Sequence, residues 1–139
     1  MFNHTLWGKT INILEKGLDA ATLRHQVIAD NISNVNTPGF KRKGVLFEKE
    51  LKEALTRRHR FQTKTTHPKH IKFTSRDPQD VFPKIFTESH TFYRNDLGNV
   101  DIDIEMSNLA KNQIMYNAFV ERISGGFRLL RTVLKGGGI

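Results

Sequence analysis

Apolar residues near the N-terminus recur at alternating spacings of three and four. One polar residue, His25, interrupts this series. Such spacing places the residues along one face of an α-helix and is typical of coiled coils. It predicts a long helix within residues 1–36. The apolar members of the series are Ile11, Leu14, Leu18, Ala21, Ile28, Ile32 and Val35.

The C-terminal segment, residues 101–139, repeats the same heptad spacing, with Gln113 as its polar interruption. Acidic residues at 101, 103 and 105 favour a helix N-terminus, and cationic residues at 128, 131 and 135 favour a helix C-terminus. Glycines at 136–138 then stop the helix. We therefore expect a second long helix. Its apolar positions are Ile102, Met106, Leu109, Tyr116, Val120, Ile123, Phe127, Leu130 and Leu134.

Two matching apolar faces at the two ends of one chain predict that the helices pair as a coiled coil, in a mainly α fold. At about 1.5 Å per residue, the faces span about 37 and 50 Å. Because the lengths differ, part of the longer face is left uncovered. We expect other chains to pack there and to make these positions an assembly surface. A plain helical hairpin within one chain is the alternative.

The middle segment, residues 37–100, has a different pattern. Thr37-Pro38-Gly39-Phe40 predicts a type II turn with a positive φ at Gly39. Residues 45–57 have a weak helical pattern through Leu46, Leu51 and Leu55. Alternation at 71–74 and 91–94 is compatible with short strands. We expect a short irregular region that contains some β-structure.

Charge is concentrated in this middle segment. The formal net charge of the chain is +8, and residues 41–76 hold twelve Lys or Arg side chains against three acids. With Phe47, Phe61 and Phe73 among them, the cations are compatible with nucleic-acid binding. We favour the alternative that the cations face outward or meet acidic surfaces of neighbouring subunits.

Catalytic chemistry has little support. The chain contains no cysteine, which excludes disulfides and thiolate sites. No zinc-protease, dinucleotide-binding or P-loop spacing is present, so we expect neither enzyme activity nor a metal or cofactor site. No apolar run reaches the length of a membrane span, and the start lacks the pattern of a cleaved secretory signal.

The most specific string is ADNISNVNTPGFKR at residues 29–42, in which a helix end runs into a tight turn. It resembles the signature of the bacterial flagellar axial proteins, the rod and hook proteins, although Asp30 stands where the family pattern has Asn. The similarity continues at residues 45–48 and 99–107. The motif positions are Asn31, Asn34, Thr37, Pro38, Gly39 and Phe40.

This resemblance implies a structural subunit of the proximal rod of the flagellar basal body, with another short rod protein such as FlgC as the alternative member. It implies helical polymerisation through the terminal helices, torque transmission, and export by the flagellar type III apparatus without a cleaved signal peptide. The implied location is the rod that spans the periplasm. The implied partners are copies of the chain, rod proteins of the FlgC, FlgF and FlgG type, and the adaptor FliE, with no nucleic acid and no direct membrane span.

Overall fold

The computed structural model describes residues 6–57, 78–89 and 98–136. Its long helices are α1 (Leu6–Ser33) and α3 (Ile102–Leu134), and a shorter helix is α2 (Glu48–Arg57). Between them lie two strands, β1 (Lys43–Leu46) and β2 (Lys84–Thr87), and a 3₁₀ turn (Pro78–Asp80). The expected class, a mainly α fold with a short β-containing middle, is confirmed.

Helices α1 and α3 pack antiparallel along their lengths. Four pairs of neighbours establish the direction, because positions rise along α3 as they fall along α1. They are Asn31 with Glu105, Ala21 with Asn112, Gly17 with Phe119, and Trp7 with Phe127. The helices therefore form a hairpin within one chain.

Local signals define both ends of α3. Asp101 caps the N-terminus, since its side chain accepts hydrogen bonds from the backbone N–H groups of Asp103 and Ile104. At the other end Lys135 donates its N–H to the Arg131 carbonyl, and Gly136 has a φ of 84°. The predicted start and stop signals of this helix are confirmed.

Helix α1 ends at Ser33, so Val35 lies beyond the helix on which the heptad pattern placed it. The side-chain amide of Asn34 donates to the Asp30 carbonyl at 2.8 Å and satisfies a group at the helix end. In the turn that follows, Phe40 donates its N–H to the Thr37 carbonyl, and Gly39 has a φ of 71°. The predicted positive φ at Gly39 is confirmed.

Strands β1 and β2 form an antiparallel two-stranded sheet, in a register that pairs Lys43 with Thr87 and Leu46 with Lys84. The pattern of the sequence did not identify either strand. The Phe86 ring lies directly against Gly44, where an added Cβ would come within 2.5 Å of it. The segments predicted as strands, 71–74 and 91–94, lie outside the described residues.

Helix α2 begins at Glu48, not at residue 45, because Val45 and Leu46 pair with β2. The predicted helical face through Leu46, Leu51 and Leu55 is also wrong, since Leu46 and Leu55 are exposed. The small core of the middle segment is instead built from Phe47, Leu51 and Ala54, which pack with Ala20 of α1 and with Val81 after the 3₁₀ turn.

Candidate functional site

A polar centre joins the hairpin to the sheet, and Arg42 is its main donor. The Nε atom of Arg42 donates to Glu105 Oε1 at 2.8 Å, and Nη1 donates to Glu88 Oε1 at 2.8 Å. The backbone N–H of Arg42 donates to Asn99 Oδ1 at 2.6 Å. One side chain before β1 thus contacts α3 and the end of β2.

Asn31 connects the end of α1 to the same centre. Its amide nitrogen donates to Glu105 Oε2 at 2.9 Å and to the Lys43 carbonyl at 2.8 Å. Its amide oxygen accepts the Lys43 N–H at 3.0 Å, so the side chain pairs with β1 as another strand would. Asn31 is fully buried. Asn31 therefore has a tertiary role, because it joins the end of α1 to β1 and to α3.

Glu105 is the buried charge at the middle of this centre, with a side chain that is 0% exposed. Burial by itself lowers the pKa of Arg42, but the hydrogen bonds and charges of Glu105 and Glu88 outweigh burial and raise the pKa above its ordinary value. Arg42 therefore remains cationic. We call Asn31, Arg42, Glu88, Asn99 and Glu105 the Arg42 centre.

The expectation that the cations of the basic segment face outward or meet acids of neighbouring subunits is wrong for Arg42, which is paired inside the chain. The pairing arises because the turn at Gly39 directs Arg42 between Glu88 and Glu105. Lys43 lies 3.6 Å from Asp30 in a more exposed pair, and its Nζ lies 5.7 Å from the centre of the Phe40 ring. The cations at 58–76 lie outside the described residues.

The remaining motif residues form the turn that leads to this centre. Thr37 donates through its hydroxyl to Asn34 Oδ1 at 3.3 Å, and Pro38 and Gly39 are exposed. Among the described residues other than its two chain neighbours, no atom lies within 4 Å of the place that a Cβ on Gly39 would occupy. The motif therefore sets the direction of the backbone and the position of Asn31.

The predicted apolar positions of α3 divide into two rows. Every second one is half-buried against the hairpin, namely Leu109, Tyr116, Ile123 and Leu130. The others form an exposed row, which we call the outer stripe: Ile102, Met106, Val120, Phe127 and Leu134. Gln113, in the same row, is also exposed. About half of the predicted apolar positions of α3 are therefore exposed, and Phe127 among them still meets the Trp7 ring of α1 edge-on at 5.8 Å.

On α1 the predicted positions lie largely towards the interior. Ala21 and Ile28 are buried, and four more are partly buried: Ile11, Leu14, Leu18 and Ile32. His25, the polar interruption, is exposed and lies near Gln113 at a small cavity between the helices. The two polar interruptions therefore face the same part of the hairpin.

The pattern missed the row of α3 that contacts α1 most closely. Glu105, Asn112, Phe119 and Gly126 recur every seven residues, but the row contains only one large apolar side chain. Asn112 is buried and donates to the Ala21 carbonyl at 2.8 Å. Phe119 lies 3.1 Å from the place of a Cβ on Gly17. The recurrence of these four residues at an interval of seven was the signal in the sequence that could have identified this row.

Within residues 6–57, 78–89 and 98–136, no three His, Asp or Glu side chains are grouped so that they could hold a metal ion. Over the same ranges no helix is both long and apolar enough to span a membrane.

Comparison with known proteins places this sequence in a family. Residues 11–41, a range that ends one position before Arg42, match the family described as "Flagella basal body rod protein". The chain is 38% identical over 133 residues to the flagellar basal body rod protein FlgB of Bacillus subtilis, which covers 96% of this chain and 98% of that protein. It is 36% identical to FlgB of Borrelia hermsii and 32% identical to FlgB of Borreliella burgdorferi, in each case over 91% of this chain and 96% of the relative. The resemblance to the rod proteins is therefore confirmed, and the chain belongs to the FlgB family of structural subunits of the flagellar basal body rod.

Proposed function

We propose that this rod subunit polymerises through its terminal helices, and that the outer stripe of α3 is the surface that neighbouring subunits cover. The observation that carries the proposal is the row of large apolar side chains left exposed when α1 and α3 pair. Three of them, Met106, Phe127 and Leu134, are more than half exposed. A long apolar row on the surface is typical of a protein interaction site.

The Arg42 centre supports a mechanical role. It joins α1, β1, α3 and the end of β2 by short charged hydrogen bonds, three of them at 2.8–2.9 Å. Because these bonds are directional and mostly shielded from water, they resist sliding of the sheet along the hairpin. We infer that torque applied to one element of the subunit passes to the others through this centre.

The same proposal includes the partners, the location and the export route of the subunit. The subunits that cover the stripe would be copies of this chain and rod proteins of the FlgC, FlgF and FlgG type, with the adaptor FliE at the base. The assembled rod would cross the periplasm, and the subunit would reach it through the flagellar type III apparatus without a cleaved signal peptide. In this role the protein is a structural component and not an enzyme.

A pair of lysine substitutions tests the stripe. Val120 lies on the stripe, whereas Ala118 is an exposed residue about 200° away around the same helix. Val120→Lys replaces an apolar contact worth about 1.5–3 kcal/mol by a charge that the interface would bury. We expect it to abolish swimming and the recovery of rods from isolated basal bodies.

Ala118→Lys is the matched control, since it adds the same charge to the same helix, and we expect normal swimming. Far-UV circular dichroism of both purified variants should match that of the unmodified chain. Rods that assemble normally from the Val120→Lys subunit would refute the assignment of the stripe.

A further inference from the structure

A small polar cavity lies between α1 and α3, at the level where Ala21 meets Asn112. It has a volume of about 240 Å³. His25 and Gln113, the polar residues that interrupt the apolar patterns of the two helices, both line it. Two interruptions from distant parts of the sequence therefore meet at one level of the hairpin. The lining consists of Ala21, Thr22, His25, Asn112, Gln113 and Tyr116.

Asn112 gives the lining of this cavity a buried hydrogen-bonding group. The residue is 3% exposed, and its Nδ2 atom donates to the Ala21 carbonyl at 2.8 Å. Its Oδ1 atom is buried and accepts no hydrogen bond within the part of the chain that the structure describes, to which every residue of the lining belongs. A buried acceptor without a donor costs about 1–3 kcal/mol. A donor that enters from outside would therefore be stabilised here.

Gln113 connects the cavity to the outer stripe, because it lies in the same row of α3 between Met106 and Val120. A neighbouring helix that covers the stripe passes over Gln113. An apolar side chain at this level would take water away from Gln113 and from the His25 ring without replacing their hydrogen bonds. A side chain that both donates and accepts hydrogen bonds avoids this loss.

We propose that His25, Asn112 and Gln113 form a polar layer, which selects the neighbouring rod subunit by taking one of its Asn or Gln side chains into the cavity. An amide has N–H groups for Asn112 Oδ1 and an oxygen for the donors of the layer. A polar residue within an apolar heptad row lowers the stability of a coiled coil but specifies its register and its partner. The inference rests on the proposed covering of the outer stripe, and it adds which side chain that surface accepts.

Leucine at position 113 tests the polar layer, because it makes the outer stripe continuously apolar. Gln113→Leu should lower the yield of rods from isolated basal bodies by about tenfold or more, since the incoming amide is then buried without its partners. Gln113→Asn keeps an amide and should keep the yield within about twofold. Ala118→Leu is the matched control and should assemble normally, because it adds the same side chain at an exposed position about 140° around the helix from residue 113.

The stability of the purified subunits separates this role from a structural one. Gln113 is exposed in the subunit, so that Gln113→Leu should leave Tm unchanged while rods are lost. His25→Leu should lower the yield of rods in the same way, because His25 lines the same cavity. The double variant should lose about tenfold, and not the roughly hundredfold loss expected of independent sites.

Normal assembly of Gln113→Leu, in a strain background where Val120→Lys abolishes rods, overturns the polar layer and leaves the outer stripe in place. The cavity then holds water only. Assembly of both variants refutes the outer stripe itself. A fall in Tm that parallels the loss of rods, or a multiplicative loss in the double variant, also overturns the polar layer.

Selection of swimming revertants from the Gln113→Leu strain identifies the partner side chain. We expect second-site changes that replace an Asn or Gln by an apolar residue in a helix of a rod subunit, since such a change removes the buried amide that lost its partners. Second-site revertants without any change of this kind would exclude an amide as the occupant.

Discussion

Replacing Arg42 should destabilise the subunit far more than replacing its partner Glu105. In Arg42→Met the carboxylate of Glu105 stays fully buried and keeps only the amides of Asn31 and Asn108, at 2.9 and 3.4 Å. Leaving a buried charge without its partner costs about 3–5 kcal/mol. In Glu105→Gln, by contrast, the Arg42 guanidinium keeps its pair with Glu88 and is 24% exposed. The loss in free energy of unfolding is therefore about 1.5 kcal/mol.

Thermal unfolding followed by circular dichroism measures the difference. For a chain of this length, 1 kcal/mol corresponds to about 3 °C in Tm. We therefore expect Tm to fall by about 10–15 °C for Arg42→Met and by about 5 °C for Glu105→Gln. Because pairing raises the pKa of Arg42, its contribution is fully present below the ordinary arginine pKa and is lost only as the pH rises through the raised value. Arg42 thus stays charged near neutral pH.

The double variant and a surface control complete the experiment. Arg42→Met/Glu105→Gln should cost about 1–3 kcal/mol less than the sum of the single variants, since no unpaired buried charge remains. Arg24→Met removes a pair with Glu48, whose side chain is 55% exposed, and should cost less than about 1 kcal/mol. Equal losses for the two single variants, or an additive double variant, would refute the role given to burial of Glu105.

Two glycine predictions concern packing and backbone conformation. Gly125→Ala should raise the urea midpoint of unfolding, because the position is helical and open and alanine is favoured there by about 0.5–1 kcal/mol. Gly17→Ala should lose that gain, because the added Cβ would crowd the Phe119 ring at 3.1 Å. Equal midpoints for the two variants would contradict this packing. Gly39→Val should lower the free energy of unfolding by about 1–2 kcal/mol and Gly39→Asn by clearly less, because φ at Gly39 is positive and no described neighbour crowds the site. The same urea series measures both variants, and equal losses would argue against backbone strain.

The Arg42 centre also explains why the basic middle segment is compatible with a stable fold. Its cations have different surroundings. Arg42 is held between two carboxylates, and Lys43 and Lys84 form more exposed pairs with Asp30 and Glu50. The composition of the segment suggested one common role for all its charges. The structure instead gives Arg42, Lys43 and Lys84 separate partners, each depending on which carboxylate the fold brings near.

Local interactions were predictable from the sequence alone. The two long helices, the acidic start of α3 and the turn at Pro38-Gly39 each depend on neighbours within about seven residues, and the structure has all three. The family motif is likewise contiguous, so its residues by themselves indicate the relationship to the rod proteins.

Only the tertiary structure decided which row of α3 faces inward. The predicted apolar positions form two rows, and the one through Leu109 and Tyr116 is half-buried whereas the one through Met106 and Val120 is exposed. The row through Glu105 and Phe119 faces α1 instead, because Gly17 admits the Phe119 ring and because Arg42 and Asn31 satisfy Glu105 in the interior. These partners are separated by 63 to 102 positions along the chain. No local pattern contains such pairings, since their free energy appears only when the hairpin and the sheet come together.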